Sequence, residues 1–224
     1  MYFFDLMMIS FRFDSLTGVP CAQKSITIEK ASVLFNIGAL YTQIGARQDK
    51  TTEDGLDCAV NNFLGAAGTF MFINENFHNA PSCDLGSDCL NMLVQLMLSQ
   101  ARDCLFEKSV LRLKDKNDLD LCLELGQEAA HVSTTYDKVL HTIVDTTVKE
   151  FLPYFWLCLL QVKREHYRAL ADYYVALGLS NKQAELTERS VETFQFLHDV
   201  EQLEECERPA VPTTEEQRKY LSNF

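Results

Sequence analysis

Five histidines and eight cysteines are the residues of this 224-residue chain best able to hold a metal or act as nucleophiles, and their spacing decides whether they can. The histidines are His78, His131, His141, His166 and His198; none forms a His-Glu-x-x-His pair or stands beside cysteines at zinc-finger spacing, so the common sequence routes to zinc are absent. His141 and Asp145 are four apart and are expected to face each other on a helix, where a surface ion pair is the commoner outcome than a ligand pair. Cys58, Cys104, Cys122 and Cys158 lie among apolar neighbours and read as small buried hydrophobes of a reduced, intracellular protein. With Cys21, Cys83, Cys89 and Cys206 they are too scattered for a disulfide framework.

Other catalytic patterns are equally thin. Gly65 and Gly68 fall inside a helical stripe through Ala66 and Ala67, where small residues would let helices approach, and they form no phosphate loop. There is no Gly-x-Ser-x-Gly elbow, and a carboxylate pair such as Glu204 and Glu205 is indistinguishable from solvated charge. Tyr154, Phe155 and Trp156 could form a ligand platform but, opening an apolar helix, are expected to be core. The densest basic group, Lys108, Arg112, Lys114 and Lys116, is interrupted by Asp115 and reads as a solvated helix end. Twenty Lys and Arg against 32 Asp and Glu give a net charge of −12, which opposes nucleic acid or an anionic membrane as a general partner. The expectation is a non-enzymatic protein without cofactor or metal.

The elements that would position any site are helical. Hydrophobic residues make up 47% and charged residues 23%, a globular balance, and 5 prolines and 9 glycines fall between long segments with apolar residues at spacings of three and four. The spacing predicts a helix over 25–45, a second capped by Thr51 or Thr52 and running to about Asn76, and a third through Leu90, Met97 and Cys104 to about Leu111. A fourth starts from Asn117 and carries Leu121, Leu125, Ala129, Val132, Tyr136 and Ile143. Pro153 suits the first turn of a fifth, to Gly178; a sixth covers Asn181 to about Cys206, and a capping box at Thr213 and Glu216 opens a seventh. A loose echo, Ala39-Leu40-Tyr41 with Gly45 and Ala171-Asp172-Tyr173 with Gly178, suggests stacked antiparallel pairs, tetratricopeptide-like but without a clean 34-residue period. The longest apolar run, Phe151 to Leu160, is about half the ~20 residues needed to cross a bilayer, and no secretion signal or transmembrane segment is expected.

The stretch Ile28-Glu-Lys-Ala-Ser-Val-Leu-Phe-Asn-Ile-Gly-Ala-Leu-Tyr-Thr-Gln-Ile-Gly-Ala-Arg resembles the signature helix of BRO domains, the banana-shaped helical modules of Alix and the rhophilins. The resemblance continues through Asp54-Gly55-Leu56, Ala66-Ala67-Gly68, Met97-Leu98-Ser99-Gln100-Ala101, Lys108 and Gln127-Glu128-Ala129-Ala130. Asp14-Ser15-Leu16-Thr17-Gly18-Val19-Pro20 and Leu40-Tyr41-Thr42-Gln43-Ile44-Gly45 look most like the rhophilin branch. The implied fold is all-α, residues 14–224 forming a partial BRO domain that lacks N- and C-terminal parts of the family fold, with 1–13 matching poorly. Such a fragment should leave apolar faces bare.

The resemblance implies a scaffold of Rho signalling to the actin cytoskeleton, cytoplasmic, with Rho GTPase bound through regions absent here. The alternative it implies is an Alix-like endosomal sorting adaptor, peripheral on endosomes, whose groove takes the amphipathic C-terminal helix of an ESCRT-III subunit. The family groove falls on Leu105, Leu121 and Leu125, with Glu53 keeping an acidic contact. Two basic family positions fall on Asp57 and Asn61, so an acidic partner helix should meet repulsion at Asp57, at a cost of about 1–2 kcal/mol.

Overall fold

Alternating apolar spacing draws the chain into helices, and each helix buries its stripe on the next. A computed structural model describes residues 10–23, 25–77, 82–113 and 119–180. Strands β1 (Ser10–Phe13) and β2 (Pro20–Gln23) form an antiparallel hairpin, followed by helices α1 (Ile26–Ala46), α2 (Glu53–Asn76), α3 (Ser87–Leu111), α4 (Leu119–Val144) and α5 (Tyr154–Ser180). Short 3-10 turns at Cys83–Leu85 and Thr147–Glu150 precede α3 and α5. Successive helices pack against each other as antiparallel neighbours, the stacked-pair, all-α architecture expected, with a hairpin added where the sequence offered no reading.

The first three helix ends agree with the spacing to within a residue or so. Thr52 caps α2, its Oγ1 accepting the Gly55 N–H at 3.1 Å. Pro153 stands just before α5. The predicted cap Asn117, the sixth helix and the capping box at Thr213 and Glu216 lie outside the described residues.

The core runs through the middle of the stack: Leu56, Phe63, Phe70 and Ile73 of α2, Leu90 and Cys104 of α3, Val132, Tyr136 and Ile143 of α4, and Leu160 and Tyr167 of α5. Two glycines make the closest approaches. A Cβ on Gly38 would stand 2.7 Å from the Phe70 ring, and one on Gly126 would stand 2.8 Å from Val175, so α1 meets α2 and α4 meets α5 through bare backbone. The echoed glycines, Gly45 against Phe63 and Gly178 against Leu119 and Cys122, mark the same two helix pairs. Gly65 and Gly68 do not have this role: a Cβ on Gly65 would make only ordinary contact with Tyr41, and one on Gly68 would meet nothing within 4 Å. Cys104 and Cys122 are buried as expected, whereas Cys58 is exposed and Cys158 half-buried, because each faces away from its helix's core stripe.

Apolar surface is left bare in three places. α1 exposes Val33, Ile37, Leu40 and Ile44, and α5 exposes Phe155, Leu159, Val162 and Tyr173. The third lies mid-stack. α2 is the one described helix long and apolar enough to cross a membrane by length and composition, yet it is the middle member of three packed helices, with Glu53, Asp54 and Asp57 in its first turns. Its surplus of apolar residues, Leu64, Met71 and Phe72, is exposed.

Candidate functional site

The turn before α2 sets the first side chains of the site. Asp49 Oδ1 accepts the Thr51 N–H at 2.9 Å and its hydroxyl at 2.7 Å, and a Cβ on Gly55 would strike the Asp49 carbonyl at 1.9 Å, so only glycine lets the chain turn this tightly into α2. Glu53 thereby leaves the first turn toward α3, where Arg112 donates to Glu53 Oε2 from Nε at 2.9 Å and Nη2 at 2.5 Å. That guanidinium holds the Glu53 carboxyl below the usual carboxylate range. One turn on, Lys108 Nζ donates to Asp57 Oδ1. Much further along, Asn74 donates to Asn91 at 2.9 Å.

These bonds fix one antiparallel register along α2 and α3. It carries Asn61 level with Cys104 and Gly68 level with Met97, each one residue from an exposed leucine, Leu105 and Leu98. Leu64, Met71, Leu98 and Leu105 are each close to half exposed, at 46%, 49%, 46% and 49%. Together they form an apolar strip on the α2–α3 face, open at Gly68 and bounded at one end by the two ion pairs. The α4 wall contributes Leu121, half-buried, and Glu128, which accepts from Arg102 Nη2 at 3.3 Å. Glu53, Asp57, Asn61 and Leu105 therefore share one region of the fold, while Leu121 lies two turns before Glu128 on α4. Leu125 is not part of that region: at 1% exposure it is core, since its side of α4 faces inward with Ala129 and Val132.

The charge at Asp57 also differs from its appearance in sequence. It is the outer partner of a lysine: the Asp57 side chain is 50% exposed and that of Lys108 16%. The cation is supplied from α3 and tucked beneath the acid, so the surface there is acidic with its positive charge already engaged. Arg112 is likewise engaged by Glu53, while Lys114 and Lys116 of the basic group fall outside the described residues. His141 pairs with Asp137, Nε2 to Oδ2 at 3.3 Å, and Asp137 is also held by Arg164.

A second polar constellation lies inside. Asp103 on α3, 2% exposed, accepts from Tyr136 Oη of α4 at 3.0 Å, from Lys163 Nζ of α5 at 2.7 Å and from the Tyr167 hydroxyl of α5. Burial opposes ionisation of Asp103, but Lys163 and the Tyr167 hydroxyl win and hold the carboxyl below its ordinary value. Burial and the Asp103 charge push both phenols up, so they stay protonated donors. Glu107, one turn along, is pushed up by burial and by Asp103. Every polar atom of the Asp103 carboxylate faces a donor from another helix, which makes it a tie between α3, α4 and α5 rather than a free acid or base. Sequence reading passed over Asp103; its signal is a charged residue on the buried stripe of α3 with Ser99 and Phe106.

A third cluster anchors the hairpin. Asp14 Oδ1 accepts the N–H of Leu16 and Thr17, both at 2.9 Å, its Oδ2 takes the N–H of Cys83, and Asp84 accepts from Arg12 and Ser15. Gly18, at φ +68°, closes the turn between the strands. Asp14 is occupied in holding backbone, and Asp84 in holding the Arg12 guanidinium with the Ser15 N–H and hydroxyl. Among the described residues no three His, Cys, Asp or Glu side chains are grouped to hold a metal.

The helical fold is matched among known proteins. A family model described as a BRO1-like domain matches residues 4–217. Rhophilin-1 of Mus musculus is 47% identical over 170 residues, covering 75% of this chain and 26% of that protein. Rhophilin-2-B of Xenopus laevis is 43% identical over 176 residues, covering 79% and 26%. The chain thus spans about a quarter of the length of these relatives. Among solved structures, an Alix BRO1–CHMP4C complex superposes with a TM-score of 0.66 at 22% identity, covering 84% of this chain and 60% of that one. A structure described as the basis for endosomal targeting by the Bro1 domain gives 0.62 at 22% identity, covering 83% and 51%.

Proposed function

The chain belongs to the BRO1-like domain family, and on that premise we propose that it is a non-enzymatic protein-interaction module of a rhophilin-like scaffold in Rho signalling to the actin cytoskeleton. The observation that carries the reading is the apolar strip of Leu64, Met71, Leu98 and Leu105, bare among the described residues and bordered by ion pairs, which suits the apolar face of a partner helix. Leu121 closes the strip on the α4 side, and Glu53, Asp57 and Asn61 form its charged and polar rim. Rho GTPase is bound elsewhere in the scaffold, and the module works in the cytoplasm, close to actin or peripheral on endosomes.

The Alix-like alternative, an endosomal adaptor that takes an ESCRT-III C-terminal helix, uses the same face and differs at Asp57 and Asn61. A titration of a CHMP4C C-terminal helix peptide by fluorescence anisotropy separates them. The scaffold reading expects weak binding by the parent and a gain of about ten-fold in Asp57→Lys, both abolished by Leu105→Asp. Micromolar binding by the parent promotes the endosomal reading, and silence from every variant removes the CHMP4C-type helix as a ligand of this face.

A further inference from the structure

Building on the docking reading above, we propose that the α2–α3 strip takes an amphipathic helix with basic flanks, seated against the bare backbone at Gly68. Three features select this occupant. The first is charge. Among the described residues, the cations bordering the strip are Arg102 and Lys108 of α3 and Arg112 at its C-cap, and each is bonded to a wall carboxylate: Arg102 to Glu128, Lys108 to Asp57, Arg112 to Glu53. Exposed Glu75 at the far end of α2 adds acid to the same face. An acidic helix would have to break these pairs to find a positive partner. A basic helix would not, because each paired carboxylate uses one oxygen, Asp57 Oδ1, Glu53 Oε2 and Glu128 Oε2, and is about half exposed.

The second feature is shape. Gly68 costs α2 stability relative to alanine, yet a Cβ there would meet nothing within 4 Å. Internal packing does not explain the glycine; a surface that another helix approaches closely does. Leu64 and Met71 flank it on α2, and Leu98 lies one residue from level with it on α3. The third is length. From Asp57 to Glu75 α2 rises about 27 Å, so the walled strip accommodates a partner of about five turns.

The test uses two synthetic helical peptides of about five turns with the same leucine face and an alanine facing Gly68, one flanked by lysines and one by glutamates. Each is titrated into the chain and into Gly68→Leu and Leu105→Asp by fluorescence anisotropy at 50 and 500 mM NaCl, with thermal midpoints measured alongside. The lysine-flanked peptide is expected to bind at least about ten-fold tighter at low salt, with the preference shrinking to about two-fold at high salt. Gly68→Leu should weaken it by about ten-fold or more without lowering the thermal midpoint. Equal or tighter binding of the glutamate-flanked peptide overturns the polarity and leaves the docking face standing. Lysine-peptide binding that survives both variants is diffuse attraction to an acidic protein and overturns the site. No binding of either peptide removes the docking reading itself.

Discussion

Helix α3 breaks the same rule on two sides: its inward face carries a carboxylate at Asp103, and its outward face carries leucines at Leu98 and Leu105. The inner exception is resolved within the chain, since Tyr136, Lys163 and Tyr167 all donate to Asp103. The outer exception is unresolved among the described residues. The difference separates a residue that holds the fold from residues that hold a partner, although both look out of place in a helical pattern. Burying a charge without partners costs more than a small domain can bear, so the inner face must be satisfied internally. An exposed leucine costs little, so the outer face can wait for its occupant.

The largest test of this contrast is to empty the inner site. Asp103→Ala strands two buried phenols and Lys163, and should lower unfolding free energy by about 3–5 kcal/mol in urea titrations. A loss below 1 kcal/mol would make the cluster ornamental. Gly126→Ala, which pushes a methyl toward Val175 and the Ala171 carbonyl, should cost about 1–3 kcal/mol by parting α4 from α5. Unchanged stability would show that those helices can separate freely.

The inner face should also govern acid stability. The folded-state pKa of Asp103 is depressed, so its contribution is present above the unfolded carboxylate value near ~3.9 and lost as pH falls through the lower folded value. Glu107 has the opposite sign: its raised folded pKa makes a cost that is absent below the unfolded value and grows as pH rises through the folded one. Urea midpoints measured against pH should therefore fall on the acid side, and Glu107→Gln should raise the neutral limb selectively. On the outer rim the effects are smaller. Lys108→Ala should change stability by at most about 1 kcal/mol, since its partner Asp57 is half exposed, and a double-mutant cycle with Asp57→Ala measures the coupling.

What sequence alone could show follows the same division. The helices were legible because core stripes such as Leu56, Phe63, Phe70 and Ile73 repeat locally, and because Thr52 and Pro153 mark starts within a turn of themselves. The hairpin was not, because it is anchored by bonds such as Asp14 to the Cys83 N–H across 69 residues, which no local pattern reports. Leu105 and Leu125 lie on neighbouring apolar stripes and read alike, yet one is exposed and one is core; only the packing of α4 on its neighbours tells them apart. Asp57 looked like a bare repulsive charge because Lys108, its partner, is 51 residues away. The acid at Asp103 was hidden for the converse reason, that its three donors come from two other helices.

The most direct measurement is Leu105→Asp, assayed for urea stability and for peptide binding on the same preparation. A docking leucine predicts stability within about 0.5 kcal/mol of the parent and loss of lysine-flanked peptide binding. A loss of several kcal/mol, or full binding by the variant, would place Leu105 with the fold rather than with a partner and contradict the division between the two faces of α3.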